Sequence, residues 1–321
     1  MMNHLRVLAK NAEGILSYIP FLYSYLKESE LFGVAGSTSS ASYCYNVFWR
    51  HIQKADEMGV DLLVPRGNVV ELGPGGSLGT GLCAILAGYE RYVGVDVVPF
   101  AKNRQRNLMV FEELRGLFEM EASLVQDNAI WPIVGDLNYP AKRIRAIKAG
   151  NALSPARLQA IRQAIQCGSA GSISLSYCHP DEIGRVFKPD TVDWVFSQAV
   201  LEHVEDIGAV HSTMARVLRL GGWASHTIDF KAHGCSVYYN GHYRYSEAMW
   251  RFMVGRRVLL SNRKPPSAHI AAVEAQKMKV IGNYMRRGED PLPKSKFHQD
   301  FRQMTDDDAY ASSAFLLAGK T

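Results

Sequence analysis

An acidic residue followed by a glycine-rich turn is the part of the sequence best suited to chemistry. Glu71 lies near the end of an apolar stretch, and glycines follow at Gly73, Gly75 and Gly79 before a helical apolar run begins. A strand that breaks into glycines before a helix is typical of the sheet edge at which open α/β proteins bind nucleotide-like ligands. The pattern therefore predicts a cofactor site that includes Glu71, Gly73 and Gly75.

The spacing of these glycines discriminates between cofactors. Dinucleotide enzymes place a third glycine three residues after the second, where the pyrophosphate meets the helix, and that position here is Leu78. A ligand with an ammonium, a carboxylate and a sulfonium but no phosphate suits the turn better, because bare backbone allows close approach and Glu71 can accept hydrogen bonds. S-adenosylmethionine is the predicted cofactor, and a nicotinamide dehydrogenase is the disfavoured alternative.

Two later strand ends carry further candidates. Asp96 closes a short β-rich run 25 residues after Glu71, where a second strand would place a carboxylate on both ribose hydroxyls. His179 follows the predicted strand at residues 172–177 and is positioned either to contact the adenine or to form a His-Pro turn. A buried strand over residues 192–198 opens into the same crevice.

Composition limits the classes of function. The 321 residues are 47% apolar, which suffices for a substantial core, and the five cysteines show no paired spacing, as expected of reduced thiols in a cytoplasmic protein. No apolar run is long enough to span a bilayer. The net charge of +5 is mild, and its basic clusters are either solvated or suited to an anionic substrate. No nucleic-acid motif is present, so a nucleic-acid partner is not predicted.

With these motifs in place, the chain resembles the class I S-adenosylmethionine-dependent methyltransferases over about residues 66–230. The resemblance rests on Glu-Leu-Gly-Pro-Gly-Gly from Glu71, on Asp96, and on residues 192–204 followed by residues 216–222. It implies an α/β fold with a doubly wound, mostly parallel seven-stranded sheet whose last strand is antiparallel. Residues 277–281 and 313–317 are the expected closing strands.

The resemblance also implies roles for individual residues. Glu71, Gly73 and Gly75 would line the methionine end of the cofactor, and Asp96 would bind the ribose. Ser197 and Gln198 would lie beside the sulfonium. Residues 42–51, 225–230 and 243–250 further resemble bacterial proteins of polysaccharide and surface-sugar pathways, which implies a sugar or glycan acceptor.

The expected organisation is an N-terminal helical cap over residues 1–65 and a methyltransferase domain over residues 66–321. Within the domain, residues 100–171 are predicted to form a helical insertion, and residues 230–275 are predicted to form a segment on the substrate side of the sheet. Pro20 would break the first helix. The polar residues 36–42 before a helical run are either a loop and N-cap for a packed helix or a lid that closes over the cofactor.

Methyl transfer to a hydroxyl requires removal of a proton, and histidine suits that role near neutral pH. His203 and His226, which follow or lie on predicted strands, are the candidate bases. Asp229, His233 and Glu202 offer an alternative as ligands of a divalent metal, but they lack tight ligand spacing and no metal site is predicted. A methyltransferase for nitrogen or carbon, and a protein that binds S-adenosylmethionine without turnover, remain open. The sequence does not determine the oligomeric state.

Overall fold

The protein is an eight-stranded sheet covered by helices on both faces. The computed structural model describes residues 2–19, 37–64, 67–257 and 261–321. The strands are β1 Asn68–Leu72, β2 Arg91–Val95, β3 Ser169–Ala170, β4 Ile173–Cys178, β5 Val192–Gln198, β6 Leu218–Asp229, β7 Lys279–Arg287 and β8 Ala311–Gly319. Their order across the sheet is β3-β4-β2-β1-β5-β6-β8-β7.

The sheet confirms the predicted doubly wound, mostly parallel α/β fold. Strands β4, β2, β1, β5 and β6 are parallel neighbours, and β8 is antiparallel to both β6 and β7. The predicted closing strands are β7 and β8. The predicted count of seven strands is one too low, because Gly168 and Gly171, both with positive φ, let the two-residue β3 fold back onto β4.

Helices connect the strands and form the two outer layers. They are α1 Met2–Leu16, α2 Ala41–Glu57, α3 Gly79–Leu86, α4 Arg104–Glu119, α5 Tyr139–Ala149, α6 Pro155–Cys167, α7 Ile183–Val186, α8 Ile207–Val217, α9 Glu247–Val254, α10 Pro266–Glu274 and α11 Asp306–Tyr310. Helices α2 to α6 share one core with one face of the sheet, whereas α7, α8 and α10 pack on the other. Among the described residues, no helix has the length and apolarity needed to cross a membrane.

Helix α2 is a core element. It begins after Ser40, whose hydroxyl accepts a hydrogen bond from the backbone N–H of Tyr43, and most of its length is buried. The Arg50 guanidinium donates hydrogen bonds of 2.9 to 3.3 Å to the carbonyls of residues 125, 127, 130 and 132. Helix α2 therefore fits the packed-helix alternative, and Arg50 fixes the connection between α4 and α5. The predicted break at Pro20 lies outside the described residues.

The predicted insertion consists of α4, α5 and α6 with their connections, and its residues complete the core on the α2 side of the sheet. The segment predicted to face the substrate contains the short 3₁₀ helix Gly241–Arg244 together with α9 and α10. Tyr243 of this segment packs with Leu292, Phe297 and Ala309 in a small separate core.

Candidate active site

The glycine turn between β1 and α3 has a backbone that only glycine fits. Gly73 and Gly75 have φ of +65° and +69°, a region that strains other residues. A Cβ on Gly73 would lie 2.4 Å from Cγ2 of Val200, and one on Gly75 would lie 2.7 Å from Oγ1 of Thr38. The turn is thus enclosed by the chain that follows β5 and by the chain that precedes α2.

Thr38 closes this turn from the N-terminal side. Its hydroxyl oxygen accepts a hydrogen bond of 2.7 Å from the backbone N–H of Gly76, and its carbonyl accepts one from the hydroxyl of Ser77. Thr38 lies in the 3₁₀ helix Ser37–Ser39, directly before the cap of α2. The segment considered as a lid therefore contacts the predicted cofactor turn through Thr38, which sequence reasoning did not single out.

Asp96 lies where β2 ends, at the same sheet edge as the glycine turn. Its carboxylate accepts a 3.2 Å hydrogen bond from the N–H of Val98, and the N–H of Gly75 lies close enough to favour its charged form. Its own N–H donates to the carbonyl of Cys178, at the end of β4, over 3.2 Å. Partial burial raises the pKa of Asp96, and the backbone donors oppose that shift. Asp96 thus joins three parts of the predicted crevice.

Glu71 occupies a position beneath the turn. It is 2% exposed, and the hydroxyl of Tyr92 donates a 2.6 Å hydrogen bond to its carboxyl group. Thr80 and Gly81 at the start of α3 also hydrogen-bond it. Burial raises the pKa of Glu71 to about 8, and the nearby charge of Asp96 adds to the shift. The two predicted acids are therefore neighbours, and burial favours the protonated form of Glu71.

His179 forms a His-Pro turn at the end of β4. It precedes the 3₁₀ helix Pro180–Glu182, its side chain accepts a hydrogen bond from the N–H of Asp181, and its own N–H donates to the Glu182 carboxylate over 2.8 Å. The imidazole is exposed at the end of β4. This local capping explains why the chain turns here.

Ser197 and Gln198 point in different directions. Ser197 is fully buried, with its hydroxyl 2.8 Å from Nδ1 of His226, on the side of the sheet covered by α8 and α10. Gln198 is only partly buried and donates a 3.2 Å hydrogen bond to the carbonyl of Trp131. Its Oε1 lies 3.2 Å from Nε2 of His51, and the Tyr43 hydroxyl also hydrogen-bonds it. Gln198 therefore links α2, the insertion and the end of β5.

The structure separates the two predicted catalytic histidines. His226 is 1% exposed, and its ring lies 5.9 Å from that of His211 in the interior beneath α8 and α10. Burial lowers the pKa of His226 well below the usual value. His203 instead lies in the 3₁₀ helix Leu201–His203, three residues after Val200, which contacts the glycine turn. Of the two, His203 is adjacent to the crevice.

His203 also belongs to a group that sequence reasoning saw only in part. Ligand atoms of Glu202, His203 and His233 all lie within 4.8 Å of one another. Glu202 and His233 had been weighed as metal ligands together with Asp229, but their separation in sequence gave no ligand spacing. The order of the strands could have indicated this group, because β5 and β6 are parallel neighbours and the residues after both strands meet at one edge of the sheet.

Comparison with known proteins agrees with this architecture. Residues 139–225 match the family model described as "Methyltransferase domain", a segment that runs from α5 into β6 and lies downstream of the glycine turn. No curated protein matches the chain.

Similar solved structures include a protein proposed to be a sarcosine dimethylglycine methyltransferase from Galdieria sulphuraria, with 11% identity, a TM-score of 0.45 and 85% of each chain covered. An S-adenosylmethionine-dependent methyltransferase from Mesorhizobium loti has 11% identity and a TM-score of 0.40, with 83% of this chain and 97% of that chain covered. One from Methanosarcina mazei has 12% identity and a TM-score of 0.41, covering 79% and 92%. The family model matches a methyltransferase domain over residues 139–225, which is less than half of the chain.

Proposed function

We propose that the protein transfers a methyl group from S-adenosylmethionine to a hydroxyl oxygen of a small molecule or glycan. The observation that carries this proposal is the position of Asp96 beside the glycine turn, with a partly exposed carboxylate whose charged form is favoured by the nearby N–H of Gly75. An exposed face of that carboxylate suits the two hydroxyls of a ribose, and the bare backbone of Gly73 and Gly75 suits close approach of the methionine end. When bound, the cofactor supplies an electrophilic methyl group on a sulfonium.

The residues around the crevice contribute mainly by orientation and by exclusion of water. Thr38 fixes the turn, and Gln198 is held in place by contacts to Trp131 and His51. Holding two reactants in line in this way contributes on the order of 7 to 11 kcal/mol to a displacement reaction. Transfer therefore needs no nucleophilic side chain from the protein.

Loss of the acceptor proton is the remaining chemical requirement. His203 follows the end of β5 beside the glycine turn. We propose that it lies on the side of the crevice where the acceptor loses its proton. His226 contacts Ser197 in the interior, which favours a structural role for both. General-base assistance of this kind contributes about 10²- to 10⁴-fold.

The proposed acceptor is a sugar or glycan hydroxyl of a cytoplasmic polysaccharide pathway, with a phosphate-bearing acceptor favoured by the basic clusters. Lys142 and Arg286 are exposed or partly exposed cations, whereas Arg143 and Arg287 are paired with Asp61 and Asp307. Methylation of nitrogen or carbon is the second candidate. A neutral amine attacks through its lone pair before it loses a proton, so methylation of nitrogen would depend less on His203, whereas a carbon acceptor would still need a base.

Calorimetry and mass spectrometry test the proposal in two stages. The purified chain is titrated with S-adenosylhomocysteine, and then incubated with S-adenosylmethionine and panels of sugar, sugar-phosphate, amine and carbon acceptors. We expect one-to-one binding and an added mass of one methyl group on a hydroxyl acceptor. Binding without turnover on any acceptor would favour a non-catalytic binding protein, and absence of binding would overturn the proposal.

A further inference from the structure

Three side chains from two strand ends converge beside the proposed crevice. The Nε2 atom of His203 lies 3.9 Å from Oε1 of Glu202, and the rings of His203 and His233 have centroids 5.0 Å apart. One ligand atom from each residue can be chosen so that all three lie within 4.8 Å of one another. A single ion placed among them would reach all three with small adjustments of the side chains.

Glu202 is the member of this group whose environment most needs explanation. Its side chain is 1% exposed, and within the described part of the chain neither carboxyl oxygen has a hydrogen-bond partner of standard geometry, although the backbone N–H groups of Glu202 and Asp229 favour its charged form. Lys231 also acts on this carboxyl group, but it is paired with Asp229 at 2.8 Å. A buried carboxylate with so little compensation is costly, whereas a bound cation would compensate its charge directly.

His233 is held towards Glu202 by an unusual backbone. Its φ is +45°, which is uncommon for a residue other than glycine, and strained residues of this kind cluster at functional sites. The flanking loop is fixed because the N–H of Ala232 donates to the carbonyl of Tyr239 over 2.6 Å. The Nε2 atom of His233 is buried, and no described residue hydrogen-bonds it. A neutral imidazole nitrogen with a free lone pair is the form that binds metals.

We propose that Glu202, His203 and His233 bind a divalent metal ion at the acceptor side of the crevice. Two imidazoles and one carboxylate suit Zn²⁺, Mn²⁺ or Fe²⁺ better than Mg²⁺ or Ca²⁺, which prefer oxygen ligands. Three protein ligands leave positions open for the acceptor oxygen. The binding site is argued from this chain alone, and its catalytic role rests on the proposed methyl transfer.

The ion would change how the acceptor loses its proton. Coordination lowers the pKa of a bound hydroxyl, so its proton passes to water before or during transfer. A bond then forms between the acceptor oxygen and the methyl carbon, the carbon–sulfur bond breaks, and its electron pair remains on sulfur as a neutral thioether. In this scheme His203 takes part as a metal ligand and does not itself remove the proton.

Metal binding can be tested without any acceptor. Tag-free protein is treated with chelator, dialysed and titrated with Co²⁺ by visible absorption and with Mn²⁺ by calorimetry. We expect one ion per chain, and a decrease in affinity of at least about 10- to 100-fold in Glu202→Gln and in His233→Gln. His298→Gln is the matched control, because His298 lies 3.1 Å from Asp300 in a partly exposed acid–histidine pair, and its affinity should equal that of the wild type.

The test separates loss of a ligand from loss of fold. Replacing the buried Glu202 by the neutral, isosteric glutamine should leave the thermal midpoint of the metal-free protein unchanged or higher. Absence of ion binding to the wild type, or binding that neither Glu202→Gln nor His233→Gln weakens, overturns the inference. S-adenosylhomocysteine is titrated into the same samples. Loss of metal binding can then be distinguished from loss of cofactor binding.

Discussion

The hydroxyl of Tyr92 donates a 2.6 Å hydrogen bond to the carboxyl group of Glu71, and both side chains are buried between the sheet and α3. Burial raises the pKa of Glu71 from 4.5 to about 8. Between these two pH values the native protein holds a proton that the unfolded chain has lost. The free energy of unfolding should therefore fall as pH rises through this window and level off above it.

Replacement of Glu71 by glutamine should remove this pH dependence. Since each pKa unit corresponds to about 1.4 kcal/mol, the wild type should lose roughly 3 to 5 kcal/mol from this one group between pH 5 and pH 8. Denaturant unfolding at pH 5, 6.5 and 8 measures the difference between Glu71→Gln and the wild type. The control is Glu274→Gln, at an exposed position on α10, which should follow the wild type. Parallel curves for Glu71→Gln and the wild type would show that Glu71 is ionised in the native state.

Thr38 should control cofactor affinity through the shape of the glycine turn. Thr38→Val keeps the volume of the side chain but removes the acceptor of the Gly76 N–H, whereas Thr38→Ser keeps the hydroxyl. A lost hydrogen bond of this kind costs about 1 to 3 kcal/mol, so we expect affinity for S-adenosylhomocysteine to fall by roughly 5- to 100-fold in Thr38→Val. Calorimetry with both variants provides the comparison, and equal affinities for valine and serine would refute the role of Thr38.

A group of buried histidines should make the protein sensitive to acid. Burial lowers the pKa of His211 to about 4 and that of His269 to about 3, while both groups have a pKa of 6.5 when unfolded. The unfolded chain therefore binds more protons below pH 6.5, and the free energy of unfolding should fall as pH decreases from 6.5 towards 4.

His211→Leu should reduce this acid sensitivity by roughly 2 kcal/mol between pH 7 and pH 5, at about 1.4 kcal/mol per pKa unit. The measurement is denaturant unfolding at the two pH values. His4→Leu, on the exposed side of α1, serves as the comparison and should keep the wild-type dependence. An unchanged pH dependence in His211→Leu would mean that His211 is already charged in the native protein.

The order of motifs along the chain was enough to predict that Asp96 lies near the glycine turn. Because parallel neighbouring strands end at one edge, the residues after β1 and β2 had to meet, and the N–H of Gly75 is close enough to Asp96 to affect its pKa. The antiparallel closing strands were predicted from the resemblance and are observed as β7 and β8.

Side-chain direction was harder to predict. Successive strand residues point to opposite faces, so Ser225 contacts His51 on the α2 side while His226 contacts Ser197 on the other. The pattern alone did not tell which face borders the crevice. The contacts of Thr38 and the meeting of Glu202 with His233 join distant parts of the chain, and neither spacing nor periodicity reports such contacts.

The central claim is that Asp96 and the glycine turn bind S-adenosylmethionine, and titration of S-adenosylhomocysteine into wild type and Asp96→Ala tests it most directly. Each hydrogen bond from a ribose hydroxyl to a carboxylate contributes about 1.5 to 3 kcal/mol, so the account predicts one-to-one binding that Asp96→Ala weakens by at least about 10-fold. Asp307→Asn, at an exposed acid paired with Arg287, should bind as the wild type does. Absence of binding to the wild type, or equal affinity in Asp96→Ala, would contradict the account.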